Sequence, residues 1–451
     1  MPVAALPTRE ERAQLGRAAR TRVPASMHRG WTPAPDRADP IALLEEQART
    51  RVPELVPIRY GRMAVSPFTF FRGAALPMAA DLSVTPVSGL TVQVCGDAHL
   101  SNFGLFASPE RNLLFDINDF DETLPGPWEW DLKRLAASLM VAGRELGFDP
   151  AMNAHTVHAA VHSYRQRMAD FAEMSALEVF YARVDVEAIT GFVNKRARPF
   201  LESTVRSTSK HDSLHELPKL TEVGPDGRRR IRDRPPTLVH RPDMTDQAMK
   251  LGLAAYRESL LVDRRALFDR YQFVDLALKV VGVGSVGLAA IVVLLDEGAD
   301  EDPVFLQIKE AEASVLERYL GPSTYATSGE RVVSGQRLLQ AAGDVLLGWA
   351  VGPAGRQFYI RQLQDQKGSA VVEVMTHDDL VAWGRLCGWA LARGHARSGD
   401  PVAIAAYLGD DNAVDHVLAD FAAAYADQNE KDHAALVAAI KSGRISATMG
   451  T

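Results

Sequence analysis

The sequence predicts an α+β protein with its helical and β-rich parts segregated. Three observations carry this. Apolar residues recur at helical spacing from Trp128 to Leu146, onward through residues 149–202, and again from His377 to Ile440. Between these parts lie three β-rich runs, Ala277–Val283, Leu288–Leu295 and Val304–Lys309, separated by turn residues. The regular strand–helix alternation of a doubly wound sheet is missing. A small β-rich module near 272–365 therefore sits between helical ends.

Taken in order, residues 1–50 are rich in Arg, Ala and Pro and read as a loosely attached arm, with a short helix near Pro40–Arg51. Residues 52–73 set Arg59, Arg62 and Arg72 among Tyr60, Phe68, Phe70 and Phe71. That mixture predicts a half-buried layer with solvated guanidinium tips; an anion site is the sharper alternative. Val92–Cys95 and Leu113–Ile117 read as strands flanking a polar loop. Residues 203–242, with arginines at 228, 229, 230, 232 and 234, read as an exposed loop or hairpin whose basic run is a solvated surface. Thr245–Tyr271 is a long amphipathic helix candidate and Ala311–Leu320 another, while Gln336–Gln340 and Gln357–Leu363 look like strands. His377–His395 is a helix with Leu380, Trp383, Leu386, Cys387 and Leu391 on one side, and the tail to Ile440 is helical.

Composition narrows the function. The 451 residues carry 50 basic and 57 acidic side chains, a net charge of −7, which argues against nucleic-acid binding as the main task. Two cysteines, Cys95 and Cys387, cannot build a disulfide framework or a structural zinc site. No apolar leader opens the sequence and no apolar run could span a bilayer. A soluble cytoplasmic protein without a membrane partner is the expectation.

The most informative stretch is Cys95-Gly-Asp-Ala-His-Leu-Ser-Asn-Phe-Gly104, with Asp97 and Asn102 on a loop after a strand. A second acidic loop, Asp116-Ile-Asn-Asp-Phe-Asp-Glu122, follows soon after. Clustered carboxylates repel, and desolvation adds to the cost unless a cation or donor compensates. Oxygen ligands of this kind suit a hard cation such as Mg²⁺. One aspartate near a nucleophile's proton, with an Asn and another Asp holding metal on a polyphosphate, is what phosphoryl transfer needs. Two turns capped by their own Asp and Asn side chains are the plainer alternative.

Gly282, Gly284 and Gly287, with Ser285 between them, form a G-x-G-x-x-G stretch that alone could be a simple turn. A dinucleotide fold requires a helix after the glycines; a kinase-type flap requires a strand, then a lysine strand. Ile291, Val292 and Val293 favour a strand, and Phe305-Leu-Gln-Ile-Lys309 follows with its single lysine. Glu312 or Glu317 could supply the partner of Lys309, with Glu317 slightly preferred.

These residues resemble a family. Gly96-Asp-Ala-His-Leu-Ser-Asn102 is similar to the catalytic loop of aminoglycoside and choline kinases, and Asn118-Asp-Phe-Asp121 to their metal loop. Asp131, about a dozen residues after Asp119, matches an aspartate of the next helix and selects Asp119 over Asp116 as the metal aspartate. The parts stand in an unusual order: the glycine stretch and Lys309 follow the catalytic loop, and the helix that should precede it resembles Leu380–His395. The resemblance therefore implies a protein-kinase-like two-lobed fold in circularly permuted order, with an arm (1–50), a first helical part carrying both loops (51–244), a β-rich nucleotide-binding module (245–370) and the remaining helices (371–451). Permutation of this kind is tolerated where termini lie close and the new break is exposed. Cys95 stands where the antibiotic kinases have His. Most of residues 50–430 also resembles a bacterial family known only as domain of unknown function 2252, through phrases such as Arg59-Tyr-Gly-Arg-Met and Phe70-Phe-Arg-Gly73.

The kinase resemblance implies an ATP- and Mg²⁺-dependent phosphotransferase acting on an unidentified hydroxyl acceptor. Asp97 would orient or deprotonate that hydroxyl; Asn102 and Asp119 would hold Mg²⁺, with Asp121 as a further ligand. Lys309 would contact the phosphates, the Gly282–Gly287 backbone would cover them, and Phe358–Leu363 would lie beside the adenine. His99 would orient the loop or simply pack. A nucleotidyl (AMP) transferase on the same fold and a non-catalytic nucleotide-binding regulator are the alternatives. A metallophosphoesterase is disfavoured because its downstream motifs are missing from the sequence.

Overall fold

The computed structural model describes residues 6–185, 189, 195–208, 213–224, 229–235, 237–241, 245–279, 286–298, 303–363, 368 and 371–450. In chain order the strands are β1 (Thr91–Val94), β2 (Phe103–Ala107), β3 (Leu113–Ile117), β4 (Leu124–Pro127), β5 (Val184–Asp185), β6 (Thr221–Val223) and β7 (Arg229–Ile231), then β8 (Leu238–Val239), β9 (Gln272–Lys279), β10 (Ala290–Asp296), β11 (Pro303–Glu310), β12 (Gly348–Val351) and β13 (Gln357–Gln362). β1 pairs with β4, β2–β3–β5 form a small sheet, and β6 pairs with β7. The main sheet is antiparallel, in the order β12-β13-β11-β10-β9-β8.

Strand alternation gives the main sheet two apolar faces. Val293, Leu295, Leu306 and Ile308 pack with Leu253, Tyr256 and Phe268 of the helices Asp246–Ser259 and Val262–Phe268. Val292, Leu294 and Phe305 face the other way, onto Leu220, Ile231 and Leu238. Phe305, Gln307 and Lys309 alternate along that second face, and Lys309 lies opposite Tyr359 of β13 in the ladder. This register delivers a lysine and a tyrosine side by side to one edge of the module.

The larger core belongs to the helical body. Trp128 stacks on Tyr164 at 5.9 Å, and Trp383 meets Phe115 edge-on at 4.9 Å, joining the helices Trp128–Glu145, Pro150–Glu173 and His377–Ser398 to β3. The N-terminal region is not a loose arm over its described residues. A helix over Arg9–Arg22, opened by a Thr8–Glu11 capping box, lies against the helix Pro401–Leu408, and Arg12 bonds Asp400 through two N–H groups at 2.9 and 2.7 Å.

Other expectations need correction. Gln336–Gln340 is not a strand: Thr327 caps a helix over Ser328–Leu339, whose buried Val332, Val333, Gln336 and Leu339 follow the helical period. The helix expected over Ala311–Leu320 is confined to Glu317–Leu320, because Glu317 bonds the Ser314 amide just outside it. Thr245–Tyr271 breaks into two helices at Leu260, whose backbone is extended. Residues 203–242 contain the expected hairpin, β6–β7, and also helices Arg198–Thr208 and Ser213–Leu220. Among the described residues, no helix is long and apolar enough to cross a membrane.

Candidate active site

Asp97 and Asn102 occupy a tight loop after β1. Gly96 begins it at φ +82°, and a Cβ there would stand 2.4 Å from the Glu122 carbonyl oxygen, so glycine is required. The Asp97 carbonyl accepts from the His99 amide at 2.8 Å and from Asn102 Nδ2 at 2.9 Å. Asp131 holds the loop's entrance from below: its carboxylate accepts the amides of Cys95 (2.7 Å) and Gly96 (3.0 Å). His395 Nε2 lies 3.2 Å from the same carboxylate, and the Trp383 indole donates to the Leu100 carbonyl at 3.1 Å. The helix His377–Ser398 thus supports the loop although it follows it by almost three hundred residues (|i−j| 283 for Trp383 and Leu100).

The Asp97 carboxylate accepts from Arg134 Nε at 2.5 Å, and Arg134 is fixed in turn by the Phe71 carbonyl at 3.0 Å. Burial pushes the Asp97 carboxyl above its usual range; Arg134 opposes this and neighbouring Asp119 reinforces it. His99 is buried, its Nδ1 has no partner among the described residues, and burial holds its pKa well below the usual range. It stands 3.8 Å from Asp97 as a neutral packed ring.

The second acidic loop is tied to the first by the Asn118 amide, which donates to the Asn102 carbonyl at 2.7 Å. Its aspartates divide the work. Asp116 is fully buried against Arg393, with N···O distances of 2.6 and 2.7 Å, and is structural. Asp119 lines the cavity and accepts one hydrogen bond, from the Asp121 amide at 3.2 Å. Asp121 receives Lys309 Nζ at 2.7 Å on one oxygen and the Tyr359 hydroxyl at 2.6 Å on the other. Burial disfavours the Asp121 charge, but Lys309 and Tyr359 outweigh it and hold the pKa below the usual range. Lys309 is raised because Asp121 overcomes its own desolvation.

The Lys309–Glu317 pair expected from the sequence is not formed. Glu317 instead accepts the amides of Ser314 (3.0 Å) and Ser323 (3.2 Å) and lies 3.7 Å from Arg331. Arg331, on the helix Ser328–Leu339, donates to the carbonyls of Asp121 (2.8 Å), Thr123 (2.7 Å) and Glu312 (2.9 Å). The backbone of Glu312, rather than its side chain, therefore takes part.

A cavity of about 100 Å³ brings these parts together. Its lining combines Asp97, Asn102, Asp119, Asp121 and Glu122 with Arg51, Arg59 and Arg72. Burial pushes Glu122 up to about 7. The solvated guanidinium tips expected at 59 and 72 are absent: Arg59 is fully buried and Arg72 partly so. Gly282, Gly284 and Ser285 lie outside the described residues. Gly287 is described, at φ +95°, and its carbonyl accepts the Val52 amide at 2.7 Å beside the cavity residue Leu288. After it comes strand β10, not a helix, so the dinucleotide-fold alternative fails.

Asn102 and Asp119 could hold a metal. The Asn102 amide nitrogen is committed to the Asp97 carbonyl, which leaves its side-chain oxygen for the cavity. Two protein oxygens suit Mg²⁺, which keeps waters and takes substrate phosphates for its remaining positions. Asp121 fits less well, since both its oxygens are engaged, and among the described residues no three His, Cys, Asp or Glu side chains converge as a metal site. Sequence reasoning missed Arg134, Arg331 and Arg51, and it placed Tyr359 only within the Phe358–Leu363 strand, not on Asp121. Only Tyr359 carried a local signal, an aromatic in the strand beside the lysine strand.

The profile of a family described as "Uncharacterized protein conserved in bacteria (DUF2252)" matches residues 51–439, and the chain belongs to that family. Comparison with curated proteins and with solved structures gave no match.

Proposed function

We propose that this protein is an ATP- and Mg²⁺-dependent phosphotransferase with a circularly permuted, kinase-like arrangement. One observation carries the reading: Lys309, from a strand late in the chain, meets Asp121, which lines the cavity together with Asp97, Asn102 and Asp119. A strand, a glycine-containing connection, a second strand and a lysine strand occur in that order in β9–β11, followed by the helix Ser328–Leu339.

In this reading Asp97, held by Arg134, accepts the proton of the acceptor hydroxyl, and burial, which raises its carboxyl, makes it a stronger base than a free aspartate. Asn102 and Asp119 hold the metal, which when bound neutralises charge on the transferring phosphate. Lys309, anchored by Asp121, adds positive charge to the phosphate side. Tyr359 fixes Asp121 so that the lysine does not swing away.

The test is a thermal-shift titration with ATP and Mg²⁺ on wild type and Asp119→Ala. Ligand at about 100 times its dissociation constant stabilises by about 2.7 kcal/mol. The reading expects Mg²⁺-dependent stabilisation in wild type and its loss in the variant. No shift with any nucleotide on folded wild-type protein overturns it.

A further inference from the structure

We propose that Arg51, Arg59 and Arg72 form a second anion site, which takes a phosphate group carried by the acceptor. The assignment to the acceptor rests on the phosphotransferase reading; the anion site itself rests on the following geometry.

The three guanidinium groups line one cavity, and among the described residues none forms an ion pair with a carboxylate. Among the described residues each has at least one buried guanidinium nitrogen without a partner, while Arg51 and Arg59 are also anchored. Arg59 donates through Nη2 to Gln47 Oε1 (2.7 Å) and the Gly73 carbonyl (3.0 Å), while its buried Nε and Nη1 have no partner. Arg51 donates through Nη1 to the Val286 carbonyl at 2.5 Å, leaving Nε buried without a partner. Arg72 Nε is likewise buried and unpartnered. Unpaired buried charge is costly, and a bound anion would remove that cost.

Lys309, which does not line the cavity, is held to Asp121 at its edge. Among the described residues the arginines are thus the cavity's positive charge without a carboxylate partner, in one lining with the carboxylates. A ligand that satisfies both sets of residues carries a metal-bound phosphate at the carboxylates and a further oxyanion at the arginines. Of the three, Arg72 lines the cavity near enough to Asp97 for their charges to interact, which puts the oxyanion beside the group that receives the acceptor's proton. Planar guanidinium donors match phosphate in bidentate fashion. Three of them disfavour a cationic acceptor of the aminoglycoside or choline type. The acceptor class is a hydroxyl compound already bearing a phosphate.

The experiment is calorimetric titration of inorganic phosphate into the full-length protein, alone and with saturating Mg²⁺ and a non-hydrolysable ATP analogue. Arg72→Gln is the principal variant; Arg59→Lys, which keeps the buried charge, is the second. The proposal expects phosphate to bind wild type with or without the analogue, and at least about tenfold more weakly in a folded variant. Wild type that ignores phosphate, or Arg72→Gln and Arg59→Lys that both bind it as wild type does, overturns the site. Phosphate displaced by the analogue overturns the acceptor assignment and gives the arginines to the nucleotide's terminal phosphate. Titration of the analogue alone is read separately: phosphate binding without analogue binding keeps the anion site and removes the phosphotransferase reading.

Discussion

Lys309 and Asp121 stand 188 positions apart in the chain and meet at 2.7 Å, with the Tyr359 hydroxyl closing on the other carboxylate oxygen at 2.6 Å. This contact joins the antiparallel sheet to the acidic loop of the helical body. It also sets the first prediction. Removing one partner strands the other's buried charge, so Lys309→Met should destabilise by about 3–5 kcal/mol. Chemical denaturation should further show that Lys309→Met with Asp121→Leu costs less than the two single changes added together.

Asp116 and Asp119 should separate cleanly. Asp116 is locked to Arg393 and to the Ala341 amide (2.8 Å), so Asp116→Ala should lower stability by about 3–5 kcal/mol. Asp119 makes one weak bond at the cavity wall, so Asp119→Ala should change stability in the absence of ligand by less than about 0.5 kcal/mol. Urea midpoints measured without nucleotide check both values.

Asp97→Asn should leave nucleotide binding in place and slow turnover about 10²–10⁴-fold, the usual range for losing a general base. Comparing kcat with the dissociation constant of the nucleotide separates this from a binding defect. A loss of binding with no change in kcat would contradict the role.

His28 provides a pH signature outside the site. It is buried beside the Tyr407 hydroxyl at 2.7 Å, and burial, helped by Lys133, lowers its pKa to about 3. The unfolded chain takes up a proton near the ordinary 6.5 while the folded one does not, so stability is lost as pH falls from about 6.5 toward 3. Each pH unit of that gap is worth about 1.4 kcal/mol. His28→Gln should flatten the acid limb of a plot of melting temperature against pH; an unchanged acid limb would show that His28 does not carry it.

Gly16 fixes the N-terminal helix. A Cβ there would stand 2.0 Å from the Ala403 carbonyl oxygen, in backbone that cannot yield easily. Gly16→Val should cost about 1–3 kcal/mol and open the helix Arg9–Arg22 to trypsin. Cleavage at the wild-type rate would show that the helix tolerates the added bulk.

Much of this arrangement is legible in the chain. The largely apolar runs at 291–295 and 304–308 announce the paired strands, and the loop from Gly96 to Asn102 carries its own turn chemistry. The missing parts are long-range. Nothing near Arg134 in sequence says that it will grip Asp97, and Arg331 finds its three carbonyls only once the helix Ser328–Leu339 has docked. Gln336–Gln340 misleads because so short a window shows neither period clearly. The arginines at 59 and 72 mislead because snorkelling is the usual fate of a long cation among aromatics, whereas here the tips turn inward to the cavity.

The central claim is phosphoryl transfer at this cavity, and phosphorus NMR tests it most directly. Protein, ATP and Mg²⁺ are incubated with a small-molecule extract of bacteria as the source of acceptor, with Asp119→Ala as control. The account predicts that ADP and a new phosphate ester resonance grow with wild type and not with the variant. ATP left intact, or converted to AMP and pyrophosphate, would contradict it.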